Sequence, residues 1–314
     1  MIAHGASLDN QSKVSIVRRV LVGLGALGVE RVLLMPDRQR LAERALQGVA
    51  SRAEPIPAAE IVDMPITDEP EDSTRAAAAM REAGAGCLVV LGGDGTARVV
   101  ARGAGEVPIV SISTGTNNVL PACVEGTLAG MAAAGVARGL VAREEAAIRH
   151  KRLALWLDGQ PASDALVDIA VLAGRHVGAR AVWDVGALRQ VVVTRSSPAT
   201  IGISAIAGAL RPVSPEEPVG LEVRLGTGAP HSVLAAVGPG LVAHLGVVGV
   251  REVHAGERVD LVAERPLVLA MDGEREITLP AAGDAWVTLH LDGPWIVDAS
   301  RVMHALASRG HLAR

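Results

Sequence analysis

Cys87-Leu88-Val89-Val90-Leu91-Gly92-Gly93-Asp94-Gly95-Thr96 is the stretch on which the reading of this 314-residue chain turns. Five apolar residues without polar alternation predict a strand covered on both faces. The glycines that follow let the backbone turn tightly and come close to a ligand. Residues 97–101 then continue as a helix, whose first amides and dipole favour an anion. Strand, glycine loop and helix start together describe a phosphate cradle. Asp94 is its odd member, because a carboxylate repels phosphate unless it holds Mg²⁺ or accepts a proton from an attacking hydroxyl. The simpler alternative is a tight turn with Asp94 capping the helix.

Moving outward, residues 108–112 repeat the design: an apolar strand runs into Ser113-Thr114-Gly115-Thr116-Asn117-Asn118, with a helix expected from Val119. Asparagine occurs three times in the chain, and two of the three are this adjacent pair. Two glycine-bearing turns at the carboxyl ends of neighbouring parallel strands form the kind of crevice where ligands bind. Upstream, residues 14–27, 38–49 and 72–82 have helical patterns, the last with Asp72 or Ser73 as its cap, and residues 31–35 read as a short strand. Helices alternating with apolar strands predict a parallel sheet.

After about Arg143 the texture changes. Short strands are predicted at 152–157, 219–225, 232–237, 258–262, 267–271 and 286–291, three of them running into Asp-Gly pairs at Asp158, Asp272 and Asp292. Such a series reads as an antiparallel sandwich. Residues 299–308 return to a helical pattern. The expected organisation is an α/β nucleotide-binding domain over 1–142, with the 298–314 tail packing back on it, and a β-sandwich acceptor-binding domain over 143–297.

Composition removes several function classes. Thirty Lys+Arg stand against 34 Asp+Glu, a net charge of -4, without the clustered cations that nucleic-acid binding needs. Residues 1–10 have no cationic start followed by an apolar run, and the longest uncharged stretch is broken by prolines, so neither a signal peptide nor a membrane span is expected. Cys87 and Cys123 stand apart in apolar contexts, which predicts buried, reduced thiols and a cytoplasmic chain. Phe and Tyr are absent. The core therefore rests on aliphatic residues and Trp, with Trp156 and Trp183 expected inside.

The Gly92-Gly93-Asp94-Gly95-Thr96 loop, the Thr114 to Asn118 turn and the later Asp272-Gly273-Glu274 resemble the superfamily of NAD kinases, diacylglycerol kinases and sphingosine kinases. Within it the chain is most similar to the NAD-kinase-like acetoin catabolism protein X group. The likeness runs from residue 13 to residue 277. It implies the NAD kinase/diacylglycerol kinase-like two-domain fold, with a Rossmann-like parallel-sheet domain before an antiparallel β-sandwich, and an ATP-dependent kinase using Mg²⁺. By the same resemblance, Asp94 orients or deprotonates the acceptor hydroxyl. Gly92, Gly93, Gly95, Thr96, Thr114, Gly115, Thr116, Asn117 and Asn118 surround ATP, while Asp168, Thr200, Asp272 and Glu274 belong to the acceptor side.

The acceptor it implies is the 2′-hydroxyl of NAD, giving NADP. Two departures bear on that choice. NAD kinases carry an Asn before the acidic residue at 168, where this chain has Val167, and a Tyr in the run that grips the dinucleotide, where residues 194–206 have none. Relatives also begin with a further strand and an Asn-Pro-x-Ser-Gly type turn, which do not precede Met1 here. A kinase of another small alcohol or lipid-like acceptor therefore stays open, as does a nucleotide-binding regulatory protein with little turnover.

Other constellations weigh less. Asp272-Gly273-Glu274 also fits a plain hairpin turn. Arg175, His176 and Arg180 suit either an anionic ligand or a solvated surface. Scattered His residues give no zinc spacing, and no metal ligands are assigned. The expected partners are small molecules and further copies of the chain in a homo-oligomer, not nucleic acid or membrane.

Overall fold

A computed structural model describes residues 9–49, 56–115, 118–174, 185–262, 266–279 and 283–313. The chain divides into two compact units. Among the described residues, one comprises those within 9–115, Pro121–Ile148 and 294–313, the other those within 118–120 and Arg149–Gly293.

The first unit runs through α1 (Asn10–Ala26), β1 (Arg31–Leu34), α2 (Leu41–Val49), β2 (Ala58–Ile61), α3 (Glu71–Glu82), β3 (Leu88–Gly92), α4 (Asp94–Ala104), β4 (Ile109–Ser113), α5 (Gly126–Ala137), α6 (Arg143–Ala146) and β5 (Ala147–Arg149). Strands β1 and β2 pair in parallel as a separate sheet, and β3 pairs in parallel with β4, placing Gly92 opposite Ser113. Helix α1 lies directly on α5. A Cβ at Gly130 would stand 2.2 Å from the Val20 carbonyl oxygen, so only glycine permits this approach.

Two local expectations change. Asp72 sits inside α3 and turns back, accepting the amides of Thr67 (2.9 Å) and Asp68 (2.8 Å), because the preceding turn presents those donors to it. No helix begins at Val119. Pro121 lacks an amide, and Ala122 instead lines up beside β4, its amide donating to Ser111 and its carbonyl accepting from Ser113. The next helix, α5, starts at Gly126, with the Glu125 carboxylate accepting the Thr127 amide at 2.7 Å.

The second unit contains β6 (Arg152–Leu157), β7 (Gln160–Ala165), β8 (Asp168–Ala173), β9 (Leu188–Val193), α7 (Ser204–Leu210), β10 (Val219–Leu225), β11 (His231–Gly238), β12 (Leu241–His254), β13 (Arg258–Asp260), β14 (Leu267–Met271), β15 (Glu274–Leu279) and β16 (Ala285–His290). They form a seven-stranded sheet, β11-β12-β10-β9-β8-β14-β15, and a four-stranded sheet, β13-β16-β6-β7. The sheets face each other across a buried aliphatic layer that includes Leu153, Leu155, Ile169, Val192, Leu267 and Val287. Gln190 pins them together: its amide donates to Glu222 (2.7 Å) and to the Asp260 carbonyl (3.0 Å), and its oxygen accepts the Val262 amide (2.9 Å). Strand β17 (Trp295–Val297) and α8 (Ala299–Ser308) return to the first unit, where β17 completes the sheet β3-β4-β17-β5 and α8 packs on α5.

Trp156 does not lie in the core. It faces outward from the four-stranded sheet and stacks on Trp286 directly across the β6–β16 pair, with ring centroids 6.1 Å apart. Strand alternation leaves open which face is buried until the second sheet is placed. Trp183 lies outside the described residues. Cys123 is exposed, against expectation, whereas burial pushes the Cys87 thiol up to about 12, leaving it protonated at neutral pH.

His150 is buried in the second unit, and burial, followed by the nearby charges of Arg195 and Lys151, pulls its pKa from 6.5 down to about 3. Between those values the unfolded chain binds the proton and the native chain does not. The stability associated with neutral His150 is therefore complete above pH 6.5 and declines as pH falls toward 3, by up to about 1.4 kcal/mol per pH unit. Urea titrations at pH 6.5 and pH 4.5 should show this slope in the wild type and a shallower one in His150→Gln; equal slopes would remove His150 as its source.

Candidate functional site

Strand β3 ends at Gly92, and Gly93, in extended conformation, caps α4, its carbonyl accepting the Ala97 amide at 3.0 Å. Asp94 is thus the first helical residue, with a side chain that is only 5% exposed. The glycines on either side have different jobs. A Cβ at Gly92 would fall 2.4 Å from the Thr96 Cβ, so this glycine lets Thr96 fold back over the strand end. A Cβ at Gly95 would meet nothing within 4 Å, so that position opens onto space beside first-turn amides that have no acceptor within the helix.

The second turn is joined to the first by backbone. The Thr114 amide donates to the Gly92 carbonyl at 3.2 Å, and the Ser113 hydroxyl donates to the Gly115 carbonyl at 3.1 Å, closing the turn behind a buried Thr114. Gly92, Gly93, Asp94, Gly95, Thr96, Thr114 and Gly115 therefore gather at the carboxyl ends of two adjacent parallel strands. Asn118 is half-buried. Thr116 and Asn117 lie outside the described residues, as do Arg175, His176, Arg180 and the side chain of Glu274.

Sequence reading missed Arg98. It stands one turn after Asp94 on α4 and is 6% exposed. Residues four apart share a helix face, so a second buried charged residue accompanies Asp94 on α4. The i,i+4 spacing from Asp94 was the available signal; the burial that gives it meaning was not.

The acceptor-side candidates belong to the second unit. Asp168 opens β8 and is 3% exposed. Asp272 occupies a left-handed position (φ 49°) in the β14–β15 turn, with Gly273 at φ 83°, the paired positive φ values of a type I′ hairpin. Its carboxylate reaches across to the amides of Val167 (2.8 Å), Leu166 (3.0 Å) and Asp168 (3.4 Å). Val167, where NAD kinases have an amide side chain, is fully buried. Thr194, not singled out from sequence, donates its hydroxyl to the Leu166 carbonyl at 2.7 Å. The Thr200 hydroxyl donates to the Ser197 carbonyl at 2.7 Å and so closes a local turn.

Among the described residues, no group of three or more His, Cys, Asp or Glu side chains is arranged to hold a metal ion. Mg²⁺ does not require one: it is commonly held by one or two carboxylates together with substrate phosphates and water, and Asp94 beside the open Gly95 position fits that pattern. A cleft of about 460 Å³, lined by Arg81, Pro108 and Arg143, lies where β3 and β4 begin, the opposite end from the glycine turns. There Arg143 stacks on Trp295, whose indole donates to Glu106.

Comparison with known proteins gives a consistent picture. Residues 6–144 match the ATP-NAD kinase N-terminal domain family, and residues 151–292 match the acetoin catabolism protein X C-terminal domain family. The chain is 39% identical over 324 aligned positions to acetoin catabolism protein X of Cupriavidus necator, covering all of this chain and 89% of that one. Among solved structures, a yeast NADH kinase crystallised with NADH shares the fold with a TM-score of 0.51 at 14% identity, over 96% of this chain and 84% of that one. No described helix is long and apolar enough to cross a membrane.

Proposed function

Because this chain belongs to the acetoin catabolism protein X family, we propose that it is an ATP-dependent kinase that phosphorylates a hydroxyl, the 2′-hydroxyl of NAD to give NADP, in service of acetoin catabolism. The observation that carries the reading is Asp94: a buried carboxylate at the first residue of α4, between Gly92 and the open Gly95 position, with the second glycine turn fastened alongside through Thr114.

In this reading the amides of Gly95 and Thr96 and the turn from Thr114 to Asn118, including Thr116 and Asn117, receive the phosphates of ATP. Asp94 aligns the acceptor hydroxyl and takes its proton as the oxygen attacks the γ-phosphorus of ATP, whose bond to the bridging oxygen breaks and releases ADP. Mg²⁺, when bound with ATP, neutralises phosphate charge. Phosphoryl transfer suits such a site because the protein's main contribution is alignment and charge stabilisation. Asp168, Thr200, Asp272 and Glu274 serve the acceptor side.

A second reading keeps the transfer and changes the acceptor to a small or lipid-like alcohol. It is favoured by fully buried Val167 and by the absence of any Tyr, which leave the dinucleotide's usual amide and aromatic contacts without counterparts at those positions. A homo-oligomer in the cytoplasm completes the proposal. Strand β11 is a sheet edge without Lys, Pro or acidic residues to discourage pairing, and Leu234, Val242, Val248 and Val250 are exposed on β11 and β12.

The experiment is to incubate the protein with Mg-ATP and NAD and follow NADP and ADP. Equimolar NADP and ADP support the proposal. ADP formation that needs an alcohol other than NAD moves the assignment to the second reading. Nucleotide binding with no ADP release under any acceptor replaces both with a regulatory role.

A further inference from the structure

The geometry assigns Asp272 to positioning rather than to proton transfer: we infer that its carboxylate fixes the Leu166–Asp168 backbone and thereby aims Asp168 at the acceptor, an inference that rests on the kinase reading above. The segment is held from both sides. Its three amides point at the Asp272 carboxylate, at 3.0, 2.8 and 3.4 Å for Leu166, Val167 and Asp168. Its carbonyls are also engaged: Leu166 accepts the Thr194 hydroxyl (2.7 Å), Val167 the Thr194 amide (2.9 Å), and Asp168 the Asp272 amide (3.0 Å).

All three amides meet Oδ1 of Asp272, so a proton taken on that oxygen would displace the contacts that hold the segment. The type I′ turn explains why this position still needs Asp or Asn: both central residues have positive φ, which Asp-Gly and Asn-Gly tolerate best. The turn chemistry and the amide cradle thus account for Asp272 without a reactive role. Asp168, 3% exposed at the start of β8, follows immediately on this pinned backbone. A shift of the 166–168 peptide planes would move its carboxylate directly.

Two variants separate the roles. Asp272→Asn keeps the turn preference and one accepting oxygen; Asp272→Ala removes both. With Mg-ATP and NAD as the probe, Asp272→Asn should leave both kcat and the KM for NAD within about threefold of wild type, whereas Asp272→Ala should raise the KM for NAD by about tenfold. Hydrogen exchange at the amides of residues 166–168 should stay slow in Asp272→Asn and become fast in Asp272→Ala. A general acid or base contributes about 10²–10⁴ in rate, so a kcat loss of that size in Asp272→Asn with exchange still slow would overturn the inference. So would unchanged protection in Asp272→Ala. Should the wild type form no NADP, the NAD kinase reading fails by itself, and the exchange comparison still decides whether Asp272 holds the segment.

Discussion

Replacing Asp94 with Asn is expected to lower kcat for phosphoryl transfer by about 10²–10⁴-fold, the range for loss of a general base. The substitution preserves size and hydrogen-bonding shape at a position that is 5% exposed. Asn cannot accept the hydroxyl proton, and it brings no charge to a metal-bound phosphate. ATP binding itself should survive, because the remaining cradle is backbone: the Gly92 to Thr96 turn and the Thr114 turn bonded to it. The check is steady-state kinetics together with ATP affinity by calorimetry. Equal rates in wild type and Asp94→Asn would reduce the residue to a helix-start carboxylate and take the mechanism with it.

The largest stability effect is expected at Lys151, one of only two lysines in the chain. Its side chain is 3% exposed, and its ammonium donates to the carbonyls of Ser214 (3.0 Å), Glu217 (2.6 Å) and Val219 (2.7 Å). Three N–H donors thus meet three acceptors. Burial pulls its pKa from 10.5 down to about 8, still high enough for the ammonium to be charged at neutral pH. The loop it secures is also braced by the Ser214 amide donating to Glu217 and by Arg211 paired to Glu217 and Glu252. Lys151→Met fills the same channel but takes the donor away from the buried Val219 carbonyl and from the part-buried carbonyls of Ser214 and Glu217. A buried acceptor left unsatisfied costs about 1–3 kcal/mol, so thermal denaturation should drop by about 5–10 °C. A change under about 2 °C would mean that water replaces the ammonium there.

How much of this was legible in sequence depended on whether the cause was local. The Asp-Gly pairs at Asp158 and Asp272 announced hairpins because type I′ turns demand positive φ at both positions, and strands β6, β10 and β14 fall at the expected residues. The glycine loop was legible for the same reason: strand, turn and helix start are consecutive. Long-range pairing was not. Ala122 lies against β4, which cancelled the helix expected from Val119, and the outward face of Trp156 followed from a second sheet assembled from distant residues. At the site, residue types gave Asp94 and Asp272 as candidates. Only the folded chain shows that Asp272 is engaged by the 166–168 amides, that Thr194 closes the other side, and that Arg98 is buried one turn from Asp94.

The stacked indoles on the four-stranded sheet have an optical consequence. With no Phe or Tyr, the chain's near-ultraviolet absorption comes almost entirely from four Trp residues. Two of them, Trp156 and Trp286, are stacked with ring planes 3° from parallel and centroids 6.1 Å apart, close enough for their transitions to couple, so the circular dichroism of this pair should change when β6 and β16 separate. Trp295, under the Arg143 guanidinium, belongs to the other unit and its emission reports on that unit. The stacked pair therefore follows the second unit without an attached label, and the part of the emission that Trp295→Leu removes is the part that follows the first.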